Sequence, residues 1–295
     1  MFKQLSTLAL CSATFAASAF AEAQDINLGL YPCSGYVLQR GVLQVDGYGN
    51  YSNVDMGEAL GADLSGAKGK GTYSELGGRV WFGASEYTTL SFFGGYSDFA
   101  YTDKEANIGY QEFRVKRALL VDNPSWGFLA IEGGWFRHSL NKLSQDGVGS
   151  IGLPRVNSDY GYNSKLSLTK AISDTWDFNS HLGYNKALVD GVNGQYNIEL
   201  GAGASRFWNN RYRFDLYATT RKIFESGVTG ASDMNNSLHM GITRYLTDRW
   251  SVNLSAQYND NLFRGVWPFF DGQMDRLSMS DYGYIALGFS YRTRY

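Results

Sequence analysis

The stretch YLTDRWSVNLSAQYND, Tyr245–Asp260, decides the fold. After Trp250 it alternates without a break. Trp250, Val252, Leu254, Ala256 and Tyr258 are apolar, and Ser251, Asn253, Ser255, Gln257 and Asn259 are polar. A period of two is the mark of a strand whose two faces meet different surroundings. An earlier stretch, AISDTWDFNSHLGYNK (Ala171–Lys186), repeats the design, with Trp176, Phe178, Leu182 and Tyr184 set against Asp177, Asn179, His181 and Asn185. Both strands follow the same turn: an apolar residue, a Ser or Thr, an Asp, one more residue and a Trp.

Read outward from these two, period two places twelve strands near 42–53, 72–83, 87–98, 110–121, 126–137, 160–171, 175–186, 195–206, 211–222, 235–246, 250–260 and 282–295. Each is about ten to fourteen residues, enough for a tilted strand to cross a bilayer. The connections alternate. Residues 84–86, 122–125, 172–175, 207–210 and 247–249 form short ones, and 54–71, 99–109, 138–159, 187–194, 223–234 and 261–281 form long ones. Asp174 and Asp248 are expected to make the short turns through side-chain bonds to local backbone. Trp126, Trp176, Trp208 and Trp250, with Tyr87, stand at short turns, where a ring belongs in lipid and its N–H toward water.

The composition agrees. The chain has 295 residues, 16% aromatic, with 35 Gly and 4 Pro, which suits many strands and tight turns. The formal net charge of −2 and the lack of a basic run exclude nucleic acid as an expected partner. Residues 1–21, MFKQLSTLALCSATFAASAFA, have the charged start, apolar middle and Ala19-Phe20-Ala21 ending of a cleaved secretory signal. The mature chain then keeps one cysteine, Cys33, and no internal disulfide. Residues 22–41 precede the first strand, as a periplasmic tail or as a plug entering the barrel, and 42–295 form the barrel itself.

In hydrocarbon every backbone polar group needs a partner, so a membrane sheet must close on itself. An even strand number puts both ends on one side. The last strand, YGYIALGFSYRTRY, alternates Ile285, Leu287, Phe289 and Tyr291 with Ala286, Gly288, Ser290 and Arg292 and ends on Tyr295. It resembles the C-terminal strand of Gram-negative outer-membrane proteins. That resemblance implies an all-β, closed antiparallel transmembrane β-barrel in the cell outer membrane, with short periplasmic turns and long extracellular loops. It further implies that Phe289, Tyr291 and Tyr295 are the signal read by the barrel-assembly machinery, with membrane lipid and lipopolysaccharide as surroundings. The last two hairpins are also similar to barrel proteins found with exopolysaccharide export, which implies a secretion role without assigning residues.

Alternation aims a charged set into the lumen: Arg79, Glu112, Arg114, Lys116, Glu132, Lys165, Glu199, Arg213 and Asp215, with Asp46, Glu75, His181, Arg221, His239, Arg292 and Arg294 beside them. Such a lining serves a water-filled pore for small hydrophilic solutes, or a salt-bridged core of a non-conducting barrel. Twelve strands lie between filled and open barrels. Strand 110–121 breaks the pattern, because Arg117 would share the lipid face with Phe113, Val115, Leu119 and Val121. A charge in mid-bilayer costs about 2–4 kcal/mol, so a β-bulge at Lys116-Arg117 is expected to turn both inward. In the loop 261–281, Trp267, Phe269 and Phe270 stand beside acids and suit a saccharide contact or packing on the rim. An outer-membrane phospholipase would need His and Ser two apart on one face, whereas His138 and Ser139 are adjacent. No metal spacing occurs and no cofactor is expected.

Overall fold

The computed structural model describes residues 34–53, 71–101, 104–145, 158–189, 192–209, 211–224, 234–259 and 282–293. Twelve strands are present: β1 Leu43–Asn53, β2 Gly71–Ser85, β3 Thr88–Tyr101, β4 Lys104–Asn123, β5 Gly127–Gln145, β6 Ser158–Ser173, β7 Trp176–Val189, β8 Val192–Trp208, β9 Tyr212–Phe224, β10 Met234–Tyr245, β11 Trp250–Asn259 and β12 Tyr282–Arg292. Each pairs antiparallel with its sequence neighbours, and β1 pairs with β12, so the sheet is a closed barrel. Strands about 4.8 Å apart and tilted by about 40° give a backbone cylinder about 24 Å across.

The faces are inverted relative to a soluble protein. Leu76, Leu287, Tyr162 and Leu254 point outward and are exposed, while Gln44, Glu112, Asn179 and Arg213 point inward and are buried. An apolar wall of this extent is stable only against lipid. Trp126, Trp176, Trp208 and Trp250 stand exposed on that wall beside the short turns.

Three expectations are corrected. The side-chain bond in the short turns comes one residue before the aspartates. Thr247 Oγ1 accepts from the N–H groups of Arg249 (3.2 Å) and Trp250 (3.1 Å), and Ser173 Oγ accepts from Thr175. A hydroxyl at the turn's first position thus bonds turn amides ahead of Asp174 and Asp248, which the sequence reading did not foresee. Next, residues 99–109 and 187–194 are mostly strand. β3 and β4 pair from Thr88↔Arg117 out to Tyr101↔Lys104, and β7 and β8 reach Val189↔Val192. The 20 residues of β4 span about 65 Å of chain, so this hairpin continues well past the hydrocarbon.

Finally, Arg117 faces outward. The bulge lies one step later, between Ala118 and Leu120, and only Lys116 turns inward. Arg117 pairs with Thr88, directly after the turn between β2 and β3. That places it at the membrane interface, where an outward charge costs about 0–1 kcal/mol. The penalty that motivated the earlier bulge does not arise.

Candidate functional site: the barrel lumen

The nine charged side chains named for the lumen all sit on inward positions of their strands. Glu112, Lys116, Glu132, Glu199, Arg213 and Asp215 are buried, and Arg79, Arg114 and Lys165 are half-buried. They are joined. Arg79 reaches Glu112 at 2.7 Å, Arg114 reaches Glu112 at 2.5 Å, and Arg114 also bonds Glu132. Asn163, absent from the sequence-based set, donates to Glu112 at 2.7 Å. A second cluster centres on Glu199. Lys165 stands 3.7 Å away, His181 Nε2 lies 2.6 Å from Oε1, and Arg221 bonds Oε2. His181 Nδ1 also bonds the Tyr217 hydroxyl, with the rings stacked at 5.6 Å. Arg213 pairs with Asp215 at 2.9 Å on its own strand.

Where these pairs run matters more than their number. The ion pairs described here join strands no more than two apart in the ring. The charges are pinned along the wall, around the circumference. The aromatic contacts behave alike: Tyr48 stacks on Phe93 at 6.0 Å, Phe93 meets Tyr110 at a tilt at 5.2 Å, and Tyr110 stacks on His138 at 4.6 Å. Asp46 collects Trp81 Nε1 (2.6 Å) and Ser290 Oγ (2.6 Å) from its two neighbouring strands.

One described segment does leave the wall. Ser34–Leu38 lies inside the barrel at the short-turn end, and Gln39, Arg40 and Gly41 are exposed at its rim before Val42 turns back in. The Gly35 N–H donates to Thr169 Oγ1 on β6 (2.8 Å), the Tyr36 hydroxyl to Asp177 on β7 (3.1 Å), and the Leu38 N–H to Thr89 Oγ1 on β3 (2.7 Å). Lys116 on β4 donates to the Ser34 carbonyl. Gly41 N–H then bonds the Gly83 carbonyl on β2 at 2.7 Å. Tyr36 and Leu38 are 1% exposed. The segment thus runs as a chord from β6 to β2.

Other candidates separate. Phe289 and Tyr291 stand on the outer face, Phe289 lying over Gly47 and Tyr291 packing on Trp250 at 4.7 Å. Trp267, Phe269, Phe270, Tyr295 and Cys33 lie outside the described residues. His138 is buried in the interior and stacks on Tyr110. No group of three or more His, Cys, Asp or Glu able to hold a metal occurs among the described residues. Tyr48, Tyr110 and Asn163 stand in the lumen outside the sequence-based set. All three sit on the inward parity of their strands, which was the available signal.

No family model matches the chain, and no curated protein matches its sequence. Solved structures do resemble it. An outer membrane channel from Pseudomonas putida F1 superposes with a TM-score of 0.57 at 9% identity, over 90% of this chain and 100% of that one. The translocator domain of the autotransporter NalP from Neisseria meningitidis gives 0.51 at 11% identity, over 98% of each chain. LpxR from Salmonella typhimurium gives 0.51 at 10% identity, over 85% of this chain and 99% of that one. At such identities the likeness concerns the fold: the chain is built as an outer-membrane β-barrel.

Proposed function

We propose that this protein is an outer-membrane channel for small hydrophilic solutes, inserted after export by a cleaved signal peptide, with its short turns in the periplasm. The observation that carries this reading is the direction of the ion pairs. A barrel stabilised by a filled core would bind charges across its axis, whereas these run along the wall from strand to neighbouring strand. Charge rings on a lumen wall tune selectivity. Here cations and carboxylates alternate, so the favoured solute is uncharged or weakly charged, and saccharides fit that class. The likeness to the outer membrane channel from Pseudomonas putida F1 supports the same reading by analogy of fold.

A second reading is a non-conducting barrel with a structural or surface-interaction role. It is favoured by the low exposure of inward charges, 1% for Glu112 and 2% for Arg213. A role in exopolysaccharide secretion rests on the resemblance of the last hairpins alone. The experiment is reconstitution into planar bilayers and solute-loaded liposomes, with and without residues 22–41. The channel reading expects stepwise conductance and sugar efflux from at least one form. Folded, inserted protein that stays silent at every voltage in both forms overturns it.

A further inference from the structure

We infer that Ser34–Val42 is an autoinhibitory strap that closes the periplasmic mouth of the lumen. This rests on the channel reading and names how that channel is regulated. The strap differs from every other described contact inside the barrel, because it ties β6 and β7 to β2 and β3 across the mouth. The span from Gly35 to Gly41 is six residues, about 20 Å when extended. That matches a chord of the barrel and leaves no slack.

The wall is shaped to receive it. Ala118, Ala130, Ser167, Thr169 and Thr89, all short, face inward on β3 to β6 and are buried. Long side chains at those positions would occupy the strap's path. Gly35 packs so closely that a Cβ there would strike the Phe128 carbonyl, and a Cβ on Gly83 would strike the Gln39 carbonyl. Tyr36 packs on Phe128 at 4.8 Å, and Leu38 and Val42 meet Trp81.

The strap is also separable from the barrel. Its amide bonds before Gly41 go to wall hydroxyls, Thr169 and Thr89, and not into a strand ladder. Gly41 has φ +80°, a conformation that favours glycine, and it stands two residues before β1. The chain can therefore swing at Gly41 while the β1–β12 and β1–β2 ladders that close the barrel stay paired.

The test compares three forms in a Cys33→Ser background carrying Ser167→Cys as reporter: the intact mature chain, a deletion of residues 34–40, and Gly35→Val. The last keeps the chain length and expels the strap by collision with Phe128, so it serves if the deletion does not fold. Single-channel conductance and labelling of Ser167→Cys by a membrane-impermeant maleimide from the short-turn side are both read. The expected result is low conductance and slow labelling in the intact form, with each rising at least about tenfold in the other two. Equal, substantial conductance in all three forms keeps the channel and overturns the strap. Faster labelling with silence in all three overturns the channel reading and the closure together. Silence with unchanged labelling overturns the strap, since its removal then uncovers nothing.

Discussion

Arg114 offers the sharpest measurement of how wet the lumen is. Its guanidinium bonds both Glu112 and Glu132, whose side chains are 1% and 3% exposed. In Arg114→Leu, Glu112 keeps Arg79 and Asn163, each at 2.7 Å. Glu132 loses the only carboxylate-to-guanidinium bond described for it. Removing one partner of a buried pair costs about 3–5 kcal/mol. Because Glu112 stays satisfied, the lower end applies, about 3 kcal/mol, a factor of about 150 in the folding equilibrium. Arg114→Leu with Glu132→Leu removes the carboxylate that has lost its guanidinium as well, and about 2 kcal/mol of the loss should return as coupling. The assay is urea unfolding in detergent micelles, followed by Trp fluorescence and by the heat-dependent gel mobility of the closed barrel. A single-mutant cost below about 1 kcal/mol with no coupling would refute the reasoning. The pair would then behave as an exposed one, and water would reach the wall at this level.

Four further outcomes are expected. Single cysteines at Asp174 and Asp248, in a Cys33→Ser background, should resist an impermeant thiol reagent on intact cells, while cysteines at Gly147 and Gly272 react; the reverse pattern would invert the topology. Deleting Arg294 and Tyr295 should leave the precursor exported but unassembled, seen as loss of heat-modifiable barrel in the outer membrane. Neutralising Arg114 and Arg213 together in the conducting form should shift reversal potentials toward cation selectivity, and no shift would place both away from the permeant path. Gly201→Ala should destabilise the barrel by about 1–3 kcal/mol in the same urea assay through overpacking, because a Cβ there meets both His181 and the Tyr217 hydroxyl; a neutral result would dissolve the His181–Tyr217 contact as a constraint.

The strand count, the inversion of the faces and the Trp girdle were legible because each is a local signal of period two. What period two cannot carry is where the ladder stops. β4 continues through Lys104–Tyr110, where nothing apolar is required outside and sequence alternation fades. It also cannot place a bulge. Lys116 and Arg117 pose the same conflict whether the extra residue precedes or follows them, and the nearby turn made an outward Arg117 tolerable. The strap was invisible for a related reason. SGYVLQRG has no periodicity, and its fit depends on Thr89, Thr169 and Asp177, residues 51 to 141 positions away.

The lumen clusters follow from one geometric rule that the sequence carries only as scattered glycines. In a barrel, side chains in one row of the ladder point inward side by side, and a pair two strands apart can meet only over the residue between them. Lys165, Gly183 and Glu199 form such a row, and the bare Gly183 lets the ammonium reach the carboxylate. Arg114, Gly134 and Asn163 form another, where a Cβ on Gly134 would lie 2.7 Å from both neighbours. Where the middle residue is large, its face becomes the path. Arg79, Phe93 and Glu112 share a row, and the guanidinium lies 5.0 Å over the Phe93 ring on its way to Glu112. Inward glycines and one aromatic thus act as spacers that let charges pair along the wall, over one intervening strand. A charge paired in this way is satisfied within two strands of its own position and has no need to reach across the axis.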